Sequence, residues 1–165
     1  MKLQIKQCDI DTIIAHAQAE LPNEACGLVA GRVDAGGKAR GGNVSVKGGY
    51  AEAKGRGAEA DTDGFFVVEK VYLLSNIDQS HEHFSIDPKE QLAAIKDMRS
   101  LGLAPLGNFH SHPETPARPS EEDIRLAHDR NAVYLIVSLA AEQPVLKAFR
   151  VIDGVASAVA VEVLG

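Results

Sequence analysis

Two histidines one residue apart, His110 and His112, with Pro113 directly behind them, are the residues of this chain best placed to do chemistry. Alternate side chains of a β-strand point to the same face, so in a strand that begins near Leu106 and carries both histidines the two imidazoles meet one point from backbones about 6–7 Å apart. That suits two ligands of a zinc ion, which takes imidazole nitrogen at about 2.0–2.1 Å and, in a catalytic site, uses three protein ligands and leaves a fourth position to water. Asp123 is the candidate third ligand. It lies eleven positions beyond His112, across a loop stiffened by Pro113, Pro116 and Pro119 that is long enough to fold back on the strand end. Each part also has a plainer reading. Ser120 and Asp123 make the S-x-x-D pattern of a helix capping box, which needs no metal, and two histidines in a strand can be polar residues without a ligand.

The combination says more than its parts. His110-Ser111-His112-Pro113, six intervening residues, Ser120, two more and Asp123 resembles the metal-binding signature of the JAMM, or MPN-plus, metallopeptidases. That family also carries a glutamate just before a buried Gly-Leu strand, and Glu24-Ala25-Cys26-Gly27-Leu28 matches that context. The resemblance runs from about Ile10 to Ile152 and is nearest to small bacterial members that act on ubiquitin-like sulfur carrier proteins. It implies Zn2+ held by His110, His112 and Asp123, Glu24 beside the water that the metal activates, and Ser120 as donor to the developing oxyanion. It further implies hydrolysis after the C-terminal glycine of a sulfur carrier, with release of cysteine or a C-terminal extension. Two alternatives stay open: an isopeptidase that removes ubiquitin-like modifiers from lysine, and a non-catalytic interaction module of the same fold.

The elements that must position these residues read as follows. Lys2-Leu3-Gln4-Ile5 suggests an opening strand, and Asp9 or Asp11 can cap a helix whose Ile10, Ile13, Ile14, Ala17 and Leu21 fall at helical spacing before Pro22 ends it. Residues 24–31 read as a buried strand with an acid at its entrance. From Asp34 to Gly64 the chain is Gly-rich and unable to build a core, which predicts an exposed hairpin extension or mobile loop with a brief strand at 44–46, longer than compact family members carry. A strand follows over 65–74, then a polar linker through His81 and His83. Asp87-Pro88-Lys89-Glu90 predicts a helix with a capping box, Leu92, Ile95 and Met98 as its buried stripe and Gly102 as its stop. Ser120-Glu121-Glu122-Asp123 opens a short third helix, and strands over 133–139, 144–152 and 155–164 close the chain, the last two joined at Asp153-Gly154. The expected fold class is α/β of the α+β type: a mixed, mostly antiparallel sheet or partial barrel flanked by helices, one domain over 1–165.

Composition narrows the partners. Seventeen basic against 23 acidic residues give a net charge of −6, and tryptophan is absent, which argues against a nucleic-acid surface. No apolar run approaches the ~20 residues of a membrane span, and polar residues interrupt the N-terminal segment, so a cytoplasmic protein is expected. Cys8 and Cys26 are too few for a disulfide framework or a four-thiolate site and read as reduced, buried thiols. The H-x-E and P-C-x-x-C pattern of zinc deaminases is absent. A thiol peptidase on Cys26 lacks a paired histidine and sits in an apolar run that raises a thiol pKa. A metal cluster at His81, His83 and Asp87 is weaker than the reading of Asp87 as an N-cap, and His16 and His128 read as solvated.

Overall fold

The computed structural model describes residues 1–34 and 64–165. Its elements are β1 (Lys2–Lys6), α1 (Gln7–Ala19), β2 (Cys26–Asp34), β3 (Phe65–Leu74), α2 (Pro88–Ser100), β4 (Ala104–His112), α3 (Glu121–Leu126), β5 (Val133–Ser138), β6 (Val145–Ile152) and β7 (Val155–Leu164). The strands close a barrel in the order β1-β3-β2-β4-β5-β6-β7. The β2/β3, β2/β4, β5/β6 and β6/β7 pairs are antiparallel, whereas β1/β3, β1/β7 and β4/β5 are parallel. The sheet is therefore mixed and mostly antiparallel, as the sequence predicts, but it is fully closed. The segment at 35–63, on which the predicted hairpin extension and the strand at 44–46 fall, lies outside the described residues.

Strand alternation sorts the core. Leu3 and Ile5 of β1, Val29 of β2, Phe66 and Val68 of β3, Phe109 of β4 and Leu135 and Val137 of β5 form one cluster, sealed by Ile10, Ile13 and Ala17 of α1. The intervening residues of β2, Leu28 and Ala30, face the other way and pack with Leu74 against Ala94 and Met98 of α2. With a helix on each face, β2 is buried from Cys26 to Gly31, which explains its unbroken apolar run. At several glycines neighbouring strands of the barrel meet too closely for any side chain. A Cβ on Gly27 would lie 2.1 Å from the Tyr72 carbonyl oxygen, and one on Gly107 would lie 1.8 Å from that of Val133. Because the obstacle is backbone, no rotamer relieves it. Gly107→Ala is expected to cost about 2–4 kcal/mol, the range of severe overpacking. Urea unfolding checks this, and a loss below half a kcal/mol would show the β4/β5 spacing to be looser than described.

The turns behave as their residues predict. Asp153 and Gly154 both have positive φ, 51° and 76°, between β6 and β7. Gly102, at φ 69°, ends α2 with Leu103 N–H bonded to the Met98 carbonyl and Gly102 N–H to that of Arg99, a Schellman motif. Other expectations need correction. Helix α1 starts at Gln7, with Lys6 at its N-cap and no side-chain cap, so neither Asp9 nor Asp11 caps it. Asp87 does cap α2, accepting from Lys89 and Glu90 N–H, but Glu90 does not complete a capping box. Its carboxylate takes the N–H and hydroxyl of Ser75 instead, tying α2 to the end of β3. Leu92 is 55% exposed, and Ala94 takes its place in the buried stripe. Leu21 is exposed, because the helix ends before it. Cys8 is exposed while Cys26 is buried, so only one thiol fits the prediction.

Candidate metal centre

Strand β4 pairs with β2 on one side and β5 on the other, and its alternate residues divide as the spacing requires. Phe109 enters the core, while His110 and His112 face the opposite side. Ser111, between them, accepts the Ala25 N–H at 2.8 Å and donates its own N–H to the Ala25 carbonyl at 2.9 Å. These bonds bind the end of β4 to the entrance of β2 and so place Glu24 beside the histidines. The Pro-rich loop turns back through Pro116, whose carbonyl accepts from His112 Nδ1 at 3.0 Å and leaves the Nε2 lone pair turned inward.

The cluster is compact. His110 Nε2 and His112 Nε2 are 3.0 Å apart, and Asp123 Oδ2 lies 3.2 Å from the first and 3.3 Å from the second. Ligand atoms about 2.0–2.1 Å from a tetrahedral zinc stand roughly 3.3–3.4 Å from one another, so the three atoms match the edges of such a site with little adjustment. Both histidines are buried, and this is the metal-competent cluster among the described residues. The capping box and the metal reading of Asp123 prove compatible. Ser120 Oγ accepts from Asp123 N–H at 3.0 Å, and Asp123 Oδ2 accepts from Ser120 N–H at 2.8 Å while still facing the imidazoles. Because Ser120 Oγ caps only as an acceptor, its proton stays available to another group.

A cleft of about 600 Å3 opens over the cluster, lined by Glu24, His83, His112, Ser120, Glu122 and Arg125 among others. Glu24 and Ser120 therefore share one opening with a candidate ligand. Burial lowers the His110 pKa, against the pull of Asp123. Burial also opposes charge on His112, but hydrogen bonds to Asp123 and Pro116 outweigh it and leave that imidazole more basic than usual. Partial burial opposes charge on Asp123, yet the two histidines and the Ser120 N–H hold its carboxyl well below the ordinary range.

Glu24 differs from Asp123. Burial pushes its carboxyl up to about 8, opposed by His112 and reinforced by Asp123. The folded metal-free chain thus keeps a proton that the unfolded chain releases near pH 4.5, so stability is full below that point and falls as pH rises toward 8. Glu24→Gln removes the burden. In chelator, the variant should be more stable than the parent near pH 8 by on the order of 2–4 kcal/mol, and equal to it near pH 4. Urea titrations at both pH values check this, and an equal gap at both would assign the difference to packing.

The structure brings together Glu24, His110, His112, Ser120 and Asp123. It does not assemble His81, His83 and Asp87 into a second cluster. His83 instead contacts Glu122 through Nδ1, a pairing that raises its pKa, and Asp87 caps α2. His16 is not solvated: its Nε2 bonds the Cys26 and Leu74 carbonyls at 3.2 and 3.3 Å, and its ring meets Phe109 edge-on. Burial pushes the Cys26 thiol up to about 12, which removes it as a nucleophile. Two contributors escaped the sequence reading. Asn76 Nδ2 donates to the Glu24 and His83 carbonyls at 3.0 and 2.9 Å, and its Oδ1 accepts from Asp78 and Ser85 N–H, so one buried amide holds the polar linker against the entrance of β2. Phe84, from that linker, stacks on His110 at 4.6 Å and 18°. The only signal for either was an asparagine and a phenylalanine in a largely polar linker.

Among known proteins, the CysO-cysteine peptidase of Mycobacterium tuberculosis is 26% identical over 146 residues, covering 88% of this chain and 80% of its own. The solution structure of protein DSY2949 from Desulfitobacterium hafniense superposes with a TM-score of 0.74 at 42% identity, covering 98% of this chain and 92% of that one. The crystal structure of AF2198, a JAB1/MPN domain protein from Archaeoglobus fulgidus, shares the fold with a TM-score of 0.52 at 19% identity, covering 100% and 97%. The family model of the prokaryotic homologs of the JAB domain matches residues 7–152, from the first turn of α1 to the end of β6 and with every residue of the cluster inside it, and to that family the chain belongs.

Proposed function

We propose that this chain is a single-domain zinc metallopeptidase that hydrolyses the bond after the C-terminal glycine of a ubiquitin-like sulfur carrier protein. His110, His112 and Asp123 hold the metal, Glu24 moves the proton and Ser120 stabilises the oxyanion. The observation that carries this reading is the triangle of ligand atoms 3.0–3.3 Å apart, one of whose members, His112, lines a cleft together with Glu24 and Ser120. Bound there, zinc supplies a Lewis acid that acidifies water toward neutral pH. Glu24 takes the proton of the attacking water and returns it to the leaving amine. The Ser120 hydroxyl donates to the carbonyl oxygen as it gains charge, a role worth about 3–4 kcal/mol where such donors have been removed from other enzymes. The similarity to a CysO-cysteine peptidase over most of both chains supports a carrier–cysteine adduct as substrate, and release of cysteine from such an adduct would give the chain a place in cysteine biosynthesis in the cytoplasm.

A Gly-Gly tail suits the cleft on physical grounds, because a chain without side chains can approach the metal closely in an extended form. The test is incubation of zinc-loaded protein with a carrier bearing one extra C-terminal cysteine, with and without chelator, read by mass spectrometry. Loss of one cysteine, abolished by chelator and strongly slowed by alanine at the last glycine, is expected. An unchanged adduct alongside cleavage of a lysine-linked conjugate would give the isopeptidase reading instead.

A further inference from the structure

The two histidines of the cluster differ on their far sides. His112 Nδ1 has the Pro116 carbonyl at 3.0 Å, whereas His110 Nδ1, on a residue only 2% exposed, has no hydrogen-bond partner among the described residues. If His110 meets a metal through Nε2, as the geometry requires, its proton sits on Nδ1 and that N–H must find an acceptor or remain a buried orphan. The side chain of Asn108, two residues earlier on the same face of β4, supplies the complement: its Oδ1 is likewise buried and unpartnered. Both residues line one cavity of about 50 Å3, whose other walls are apolar apart from Tyr134 and Asp123, the latter already held by the Ser120 N–H and facing the two imidazoles. Tyr134 does not compete for the site, since its hydroxyl donates to the Asp129 carbonyl. A water needs roughly 10–15 Å3 of such space and at least two polar partners. The cavity offers the room and, beside the Asp123 carboxylate already engaged by the cluster, one unpartnered donor and one unpartnered acceptor.

We propose that a water bound in this cavity accepts from His110 Nδ1–H and donates to Asn108 Oδ1, making Asn108 a positioning residue that fixes the His110 tautomer for metal binding through Nε2. The inference rests on the assignment of His110 as a ligand. It explains why an amide is tolerated in an apolar pocket behind the cluster, and it gives His110 through water what Pro116 gives His112 directly.

Zinc affinity of the full chain, measured by chelator competition, tests it for the parent, Asn108→Leu and Asn108→Asp. Loss of an outer partner of a metal-bound histidine costs about 10–100-fold in affinity, so Asn108→Leu should bind zinc that much more weakly, while Asn108→Asp, which keeps the acceptor, stays within about threefold. Unchanged affinity in Asn108→Leu overturns the inference and leaves the ligand assignment standing. A parent that binds no zinc overturns both. Should Asn108→Leu fail to fold, imidazole NMR of the zinc-loaded parent decides. A slowly exchanging His110 Nδ1–H with a cross-peak to bound water is expected, and an Nδ1–H without that cross-peak overturns the proposal.

Discussion

His112→Ala is expected to empty the metal site and abolish turnover together, while leaving the fold in place. The Nε2 atom it deletes is 3.0 Å from His110 Nε2 and 3.3 Å from Asp123 Oδ2, so the two remaining groups can offer zinc only half of a tetrahedron. The loss is compounded by the Pro116 carbonyl, which forfeits the N–H that held the Pro-rich loop over the cluster. The barrel does not depend on that loop. Its principal core lies on the other face of β4, around Phe109, and a chain of this size buries enough surface to fold without a metal staple. Elemental analysis should therefore fall from about one zinc per chain to near zero, with the far-ultraviolet spectrum unchanged. His128→Ala, at an exposed position outside the cluster, should retain both metal and activity. Zinc persisting at full stoichiometry in His112→Ala would refute the ligand set.

What the sequence discloses, and what it withholds, follows from how far each signal reaches along the chain. The strand alternation around His110 and His112, the Asp87-Pro88 start and Gly102 stop of α2, and the Asp153-Gly154 turn are local, and each has its expected form. Closure of the barrel is not local. It depends on β1 lying parallel to both β3 and β7, a pairing of segments up to about 160 positions apart that no residue pattern announces. Two of the misread residues share one cause, competition from a distant partner. Glu90 looked like half of a capping box until Ser75 claimed its carboxylate, and His16 looked solvated until the ends of β2 and β3 brought two carbonyls to its ring. The same limit applies within the site. Spacing alone could bring two histidines and an aspartate together, but that Asn76 anchors the Glu24 carbonyl and Phe84 covers His110 depends on a linker whose sequence shows only polarity.

The separation of proton transfer from metal binding gives the second large effect. Glu24 sits at the entrance of β2, is 5% exposed and lines the cleft, yet it lies outside the triangle formed by His110, His112 and Asp123. Its backbone is held from two sides, with the N–H on the Ser80 carbonyl at 2.7 Å and the carbonyl on Asn76 Nδ2 at 3.0 Å, so its side chain is aimed by contacts that do not involve the histidines. Burial raises the proton affinity of its carboxyl in the metal-free chain, and a carboxylate that lines the cleft with His112 can accept a proton and return it within a single turnover. Glu24→Gln keeps the volume and one hydrogen-bonding oxygen but removes that basicity. Zinc content should remain at about one per chain, while kcat falls by about 10²–10⁴, with KM changed far less because no group that holds the carrier tail has been altered. The three readouts discriminate among roles. Near-normal turnover would show that another group moves the proton, loss of zinc would make Glu24 a ligand, and a rise in KM at constant kcat would make it a contact for the substrate.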